Sequence, residues 1–187
     1  ARGSPGGFNN STRAIWSGGN TPTLQNVQDY VTMSSVGNAV DFGNLTTARV
    51  EGAGFSSPIR GVYAGGAAPG VSNIIDLIEI ATTGDATDFG DLSAARKQLS
   101  GGSSSTRGFV NGGDTGSVVA TIDYVTIASQ GNAIDYADLT AARTQTSGTS
   151  NSVRGFCMGG EEPGLVNKIE NFLIRNGGTA TDFGDLT

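Results

Sequence analysis

The chain has 187 residues and a formal net charge of −6, with 17 acidic and 11 basic residues and no histidine. An acidic chain is a poor partner for nucleic acid or an anionic membrane surface, and no stretch reaches the roughly 18 consecutive apolar residues of a membrane span. The lack of histidine excludes a Ser-His-Asp triad and imidazole metal sites, and a single cysteine excludes an internal disulfide. We also predict no cofactor.

The sequence repeats itself every 47 residues, as the step from Gly19 to Gly66 shows. The Gly-Gly pair recurs at 18–19, 65–66, 112–113 and 159–160. A fixed period in this range indicates a repeat architecture, in which each supersecondary unit stacks on its neighbours. We therefore predict a single domain over residues 1–187, made of four tandem repeats with boundaries near 47, 94 and 141.

Each repeat opens with a segment rich in glycine and serine. These segments are residues 1–13, 48–60, 95–107 and 142–154. A flexible linker is one interpretation. Because glycine in a strand marks a close approach of backbones, four copies at one phase favour a strand at the centre of the assembly. A large side chain at Gly101 would then overpack that centre.

The second and third strands lie on either side of the Gly-Gly pair. A short apolar strand, such as residues 108–111, ends at the pair, and a loop leads to the most apolar strand of the repeat. In the third repeat this strand covers residues 121–128, where β-branched and aromatic residues alternate with polar ones, a pattern typical of β-strands.

The only cysteine lies in the second strand of the fourth repeat. Cys157 takes the position that Trp16, Tyr63 and Val110 hold in the other repeats. The pattern predicts a buried hydrophobic residue rather than a reactive thiol.

A Gly-Asn or Gly-Asp pair predicts a tight hairpin between the third and fourth strands. The pairs are Gly37-Asn38, Gly84-Asp85, Gly131-Asn132 and, in the fourth repeat, Gly177-Gly178. The fourth strand carries an Asp-aromatic pair and a leucine. Since no segment shows a helical period with caps, we predict an all-β chain with four antiparallel strands per repeat.

Four-stranded units of this length with a Gly-Gly pair and an aromatic residue are typical of β-propeller blades. The order Gly65-Gly66, Ile75-Asp76-Leu77, Phe89, Leu92, Arg96 resembles the kelch repeat, with Phe or Tyr where kelch blades usually carry Trp. The resemblance implies a four-bladed kelch-like β-propeller. Because the chain is one residue short of four full repeats, we expect its ends to meet and close a ring. The alternative is a segment of a longer array.

The third repeat has a second resemblance. Residues 107–140 contain Arg-Gly-Phe-Val, Gly-Gly, Thr-Ile-Asp-Tyr-Val-Thr-Ile-Ala-Ser and Asp-Tyr-Ala-Asp-Leu-Thr. The phrase is similar to tandem repeats in virion and tail-fibre-like proteins of marine bacteriophages, and the similarity extends over essentially the whole chain. It implies a place in the virion, extracellular once released. The implied partners are other virion proteins or a host-surface glycan or protein, without nucleic acid or membrane insertion, and an oligomer is compatible with it.

The resemblance implies a non-enzymatic module for host-surface attachment, with glycan as one ligand. Three alternatives stay open: a purely structural virion decoration or assembly protein, an excised segment of a longer kelch-like protein, and an enzyme such as a glycan hydrolase.

Eight of the nine arginines fall in two phased series. These are Arg2, Arg49, Arg96 and Arg143, and Arg13, Arg60, Arg107 and Arg154. Planar guanidinium groups bridging carboxylates or carbonyls would lock repeat to repeat. We expect Arg60, Arg107 and Arg154 to be largely buried. An anion-binding ring is the alternative.

Paired carboxylates in the fourth strand suggest a glycosidase or a calcium site. The pairs are Asp88/Asp91, Asp135/Asp138 and Asp182/Asp185. Since they recur from repeat to repeat, whereas an active site is usually asymmetric, we interpret them as turn carboxylates. We predict no catalytic residue and no metal site.

The copies disagree most after the Gly-Gly pair, in residues 20–25, 67–72, 114–120 and 161–166. We expect these polar loops to emerge on one face and to hold the binding surface, unless they have simply drifted. The candidate ligand-binding residues are Asn20, Thr21, Asp114, Thr115, Glu161 and Glu162.

Overall fold

Twenty β-strands and no helix make up the chain in a computed structural model, which describes residues 1–187. Sixteen strands form four antiparallel four-stranded sheets, one per repeat, and four short strands form two additional hairpins. The prediction of an all-β chain with four antiparallel strands per repeat is confirmed. The chain has no helix that is long and apolar enough to cross a membrane.

Each sheet follows the chain order of its strands. Repeat 1 holds β1 (Gly6–Asn9), β2 (Arg13–Ser17), β5 (Val27–Thr32) and β6 (Val40–Asn44). Repeat 2 holds β7 (Ala53–Ser56), β8 (Arg60–Ala64), β9 (Ile74–Glu79) and β10 (Thr87–Asp91). Repeat 3 holds β11 (Ser100–Ser103), β12 (Arg107–Asn111), β13 (Thr121–Thr126) and β14 (Ile134–Asp138). Repeat 4 holds β15 (Ser147–Ser150), β16 (Arg154–Met158), β19 (Lys168–Leu173) and β20 (Thr181–Asp185).

The glycine-rich strands meet at the centre of the assembly, as predicted. β1 packs on β7, β7 on β11 and β11 on β15. Glycine is required because a Cβ atom at Gly148 would lie 2.5 Å from the carbonyl oxygen of Gly101. Serine side chains join the same strands, since Ser103 Oγ donates to Ser56 O at 2.6 Å and Ser150 Oγ donates to Ser103 O at 2.8 Å.

The hydrophobic core consists of three clusters, and each lies between two consecutive repeats. The first includes Phe42 and Leu45 of repeat 1 with Ile78 and Ile80 of repeat 2. The second and third join repeat 2 to repeat 3 and repeat 3 to repeat 4 through equivalent positions. We call the side of a repeat that packs on the following repeat its leading face, and the opposite side its trailing face. The repeats therefore bury their apolar residues mainly against each other.

The predicted tight hairpins between the third and fourth strands are wrong. Seven residues connect these strands in every repeat, for example residues 80–86 between β9 and β10. The glycine pair instead docks on the preceding repeat, where Gly84 N donates to Phe42 O and Ala86 N donates to Asn44 O, both at 2.7 Å. A Cβ atom at Gly43 would lie 2.2 Å from the carbonyl oxygen of Gly84. Glycine is thus needed at position 43, where the backbones of neighbouring repeats approach each other closely.

The four sheets form a row that does not close into the predicted ring. Inter-sheet contacts join consecutive repeats, while Trp16 and Met33 on the trailing face of repeat 1 are exposed, as are Phe183 and Leu186 on the leading face of repeat 4. The 47-residue period places the two termini at neighbouring positions of the repeat. It does not determine the angle between one sheet and the next, and that angle decides whether a ring closes.

Candidate functional site

The loops after the Gly-Gly pairs all emerge at one end of the sheets, which we call the loop end. Two of them form the hairpins β3 (Asn20–Thr21) with β4 (Thr23–Leu24) and β17 (Glu161–Glu162) with β18 (Gly164–Leu165). All four loops bridge to the segment just before an inner strand, through Gly3↔Asn20, Val50↔Ala67, Lys97↔Asp114 and Thr144↔Glu161. The six predicted ligand-binding residues therefore lie at one end. The seven-residue connections lie at the opposite turn end.

The Gly-Gly pair directs the chain into these loops. Gly65 and Gly66 have φ angles of 63° and 106°, which side-chain-bearing residues rarely adopt. In this conformation Gly66 N donates to Arg96 O at 2.9 Å. The pair thus positions each loop against the start of the next repeat.

The predicted loop residues differ in how free their side chains are. Asp114 Oδ1 accepts from Gly116 N at 2.8 Å and Thr115 Oγ1 donates to Ser117 O at 3.1 Å, so both close their own turn. Glu161 Oε2 accepts from Gln145 Nε2 at 3.0 Å. Glu162 Oε2 pairs with Lys168 Nζ at 3.3 Å.

A polar depression of about 280 Å³ lies at the loop end, where the four inner strands begin. Its lining comes from two adjacent positions in each repeat: Ser4 and Pro5, Glu51 and Gly52, Gln98 and Leu99, Gln145 and Thr146. We call it the central depression. The depression was not predictable from the sequence, because these positions precede the glycine-rich strands and match no motif.

One position of each pair adopts a left-handed backbone without being glycine. The φ angles are 48° at Ser4, 61° at Glu51, 54° at Gln98 and 55° at Gln145. This conformation costs a side-chain-bearing residue about 1–2 kcal/mol. It lets Gln98 N donate to Glu51 O and Gln145 N donate to Gln98 O, both at 2.9 Å. Strained backbone of this kind concentrates at functional sites.

The central depression offers both hydrogen-bond donors and acceptors. The carboxylate of Glu51 forms no hydrogen bond or ion pair within the chain, whereas the Gln98 side chain accepts from Thr144 Oγ1 at 3.2 Å. Gln145 connects the depression to Glu161. A ligand rich in hydroxyl groups is the chemical class that these side chains can match.

The first arginine series forms buried ion pairs away from this site. Nη2 lies 3.1 Å from Asp76 in Arg49, 2.8 Å from Asp123 in Arg96 and 2.7 Å from Glu170 in Arg143. Burial lowers the pKa of the Arg49 and Arg96 guanidinium groups, while the paired carboxylates oppose that shift. Each pair lies within one repeat. The preceding repeat seals it, as when Thr46 Oγ1 donates to Asp76 Oδ1 at 2.6 Å.

Three arginines of the second series donate hydrogen bonds directly to backbone carbonyls of the following repeat. Arg13 Nη1 donates to Ile80 O at 2.7 Å, Arg60 Nη1 to Ala128 O at 2.8 Å and Arg107 Nη1 to Arg175 O at 2.7 Å. Arg60 and Arg107 are half-buried and Arg154 is exposed. The expectation of large burial is therefore wrong for Arg154, whereas Arg60, whose side chain is 25% exposed, and Arg107 donate to carbonyls at the solvent-exposed edge of the interface.

The phased carboxylates lie within the fourth strands and not in turns, which corrects the sequence-based interpretation, and the first carboxylate of each pair directly precedes a β-bulge. Asp88 Oδ1 accepts from Gly90 N at 3.1 Å, and Asp182 Oδ1 accepts from Gly184 N at 3.0 Å. Partial desolvation, together with Asp123 and Asp138, raises the pKa of Asp135. No group of three or more His, Cys, Asp or Glu residues is placed to hold a metal ion. Cys157 is buried as predicted, and burial raises the pKa of its thiol.

No protein-family model matches this chain. No curated protein matches it either.

Proposed function

We propose that the chain is a non-enzymatic binding module, made of kelch-like β-propeller blades, that attaches a phage particle to a host-surface glycan. The proposal depends on one observation above all, the central depression lined by equivalent positions of all four repeats. A glycan presents hydroxyl groups that donate and accept hydrogen bonds, as do the side chains around the depression. The phage setting depends on the resemblance of residues 107–140 to phage tandem repeats.

The variation among copies supports a role in recognition. The residues that stabilise the interior of each repeat keep their chemistry, with arginine paired to an acid in every repeat. The left-handed position instead changes from serine to glutamate to glutamine. A surface in which equivalent positions carry different polar groups can recognise an asymmetric ligand.

A non-enzymatic role is supported by how the carboxylates are used. Asp76, Asp123 and Glu170 are buried against arginine, and Asp88 and Asp182 accept hydrogen bonds from backbone N–H groups of their own strands. None of these groups combines exposure with the freedom that a general acid or base needs.

Glycan binding to the 187-residue chain tests the proposal. A glycan array and then calorimetry would compare the unmodified chain with a Glu51→Ala, Gln145→Ala variant. A matched Thr82→Ala, Gln130→Ala variant removes polar groups from a cavity of about 480 Å³ at the turn end. We expect at least tenfold weaker binding for the first variant only. If the second variant binds glycan more weakly, the site lies at the turn end and not in the central depression. If the unmodified chain binds no glycan at all, attachment through glycan is contradicted.

A purely structural role in the virion is the second candidate, and the uncovered apolar faces of repeats 1 and 4 favour it. Adsorption of phage particles to host cells separates the two. Attachment predicts that the Glu51→Ala, Gln145→Ala particle assembles normally and adsorbs poorly, whereas a structural role predicts normal adsorption.

A further inference from the structure

The two uncovered faces at the ends of the row are the two halves of an interface that the chain already forms three times. On trailing faces, Tyr63 is 1% exposed and Ile80 is 0% exposed, whereas Trp16 is 39% exposed and Met33 is 55% exposed at the same positions of repeat 1. The trailing face of repeat 1 therefore presents, uncovered, the surface that repeats 2 to 4 bury.

The leading face of repeat 4 shows the complementary pattern. Phe42 is 2% exposed and Leu45 is 3% exposed, whereas Phe183 is 56% exposed and Leu186 is 44% exposed at the same positions. Phe183 packs edge-to-face on Phe156, with ring centroids 5.2 Å apart. This pair forms an apolar surface with nothing against it.

The polar groups of the two faces match as well. Arg13, Arg60 and Arg107 each donate to a carbonyl of the following repeat, while the Arg154 side chain is exposed and the equivalent acceptor is Met33 O. Thr46, Ser93 and Thr140 each donate a hydroxyl hydrogen bond to the acid of the following repeat. The equivalent donor is the exposed Thr187, and the equivalent acid is the half-exposed Asp29.

Backbone groups complete the match. Ala86 N donates to Asn44 O, Ala133 N to Asp91 O and Ala180 N to Asp138 O across the three interfaces. The same positions on the uncovered faces are Ala39 N and Asp185 O. Apolar, charged and backbone groups are thus all present for a fourth interface with the geometry of the first three.

We propose that these faces bind each other between two copies of this chain, with the leading face of repeat 4 on the trailing face of repeat 1 of the partner copy. The contact is heterologous, because two different surfaces meet, so it closes into a ring or extends into a chain of copies. It is independent of the proposed glycan site, since the central depression lies at the loop end and not on either face.

Sedimentation velocity over a range of protein concentrations tests this interface. The unmodified chain is expected to form species larger than a monomer. Phe183→Asp places a charge on the leading face of repeat 4, and Met33→Asp places one on the trailing face of repeat 1. Each charge blocks its face from binding, so each variant alone is expected to be monomeric. An equal mixture of the two still has one intact interface and should form a 1:1 dimer and nothing larger. Ile59→Asp, at an exposed site on neither face, is the control and should associate like the unmodified chain.

Two results would overturn the proposal. One is an unmodified chain that stays monomeric at all concentrations up to the millimolar range. The other is continued association of Phe183→Asp alone, which would show that another surface is responsible. Circular dichroism and thermal unfolding check that the variants are folded, and Leu186→Asp with Trp16→Asp repeat the test at second positions on the same faces.

Discussion

At the residue scale, the buried Arg96 has a different energetic role from the half-buried Arg107 of the same repeat. Arg96 and Asp123 are both fully buried, and Arg96 Nε has no hydrogen-bond partner. Desolvation of such a pair offsets much of its attraction, but removing one member leaves an uncompensated buried charge. The phased sequence identified these arginines, but could not show which series is buried, because burial depends on the neighbouring repeat.

We predict that Arg96→Ala lowers the free energy of unfolding by roughly 3–5 kcal/mol, because Asp123 keeps its charge in an apolar interface. Arg2→Ala is the matched control, since its partner Asp29 is half-exposed, and should cost less than about 1 kcal/mol. Urea unfolding followed by fluorescence measures both. An Arg96→Met, Asp123→Leu variant should recover most of the loss, and equal costs for Arg96→Ala and Arg2→Ala would contradict the argument.

A second prediction concerns Asp135, which lies directly opposite Asp123 on the neighbouring strand. Asp135 is exposed, but partial desolvation and the charges of Asp123 and Asp138 still raise its pKa above the ordinary value of 3.8. The charged form is therefore less favourable in the folded state, and the resulting penalty appears as the pH rises through the folded pKa. Asp135→Asn should stabilise the protein at pH 7 by about 0.2–1 kcal/mol, the range for cross-strand pairs.

Below about pH 4, Asp135 is increasingly protonated in both folded and unfolded chains. The advantage of Asp135→Asn should therefore shrink as the pH falls toward 3. Thermal unfolding of both proteins between pH 3 and 8 would follow it. An advantage that grows on acidification would reverse the sign of the argument.

At the scale of the single strand, each repeat fills the same space with an aromatic ring, but the strand that supplies the ring differs between repeats. Phe55 on β7 lies opposite Val62 on β8, and Gly102 on β11 lies opposite Phe109 on β12. The aromatic ring has moved to the neighbouring strand, where Phe109 lies over Gly155. Strand order and the glycine-rich strands were predictable from composition and phase. The exchange of the ring between strands was not, because it depends on cross-strand register.

This exchange predicts a strong coupling between two substitutions. Gly102→Phe alone should destabilise by about 1–3 kcal/mol through overpacking, because a Cβ atom there would lie 2.6 Å from Phe109 Cζ. Phe109→Val alone should leave a cavity in the third cluster and cost a similar amount. The double variant restores the arrangement of repeat 2 and should be more stable than either single variant. A double-mutant cycle in urea measures the coupling, and simple additivity would contradict it.

At the scale of the whole molecule, the sequence specifies the repeat unit and its neighbours but not the closure of the array. Every core cluster joins two consecutive repeats, so each contact that defines the fold is local in the row. The angle between the first and last sheets is the sum of the angles at the three interfaces. That sum cannot be read from any single residue of the 47-residue repeat. The central depression escaped prediction for a related reason: it exists only where four copies of one position meet.

The row also predicts how stability is distributed along the chain. In a repeat array, stability is approximately the sum of repeat terms and nearest-neighbour interface terms. Repeats 2 and 3 each take part in two core clusters, whereas repeats 1 and 4 take part in one. Hydrogen exchange of a Met33→Asp, Phe183→Asp variant, in which both terminal faces are blocked, should therefore show weaker protection in β2 and β19 than in β8 and β13. Equal protection in all four strands would show that the repeats unfold as one cooperative unit despite their open ends. In the unmodified chain, protection of β19 should rise with protein concentration, because a second copy then covers the leading face of repeat 4.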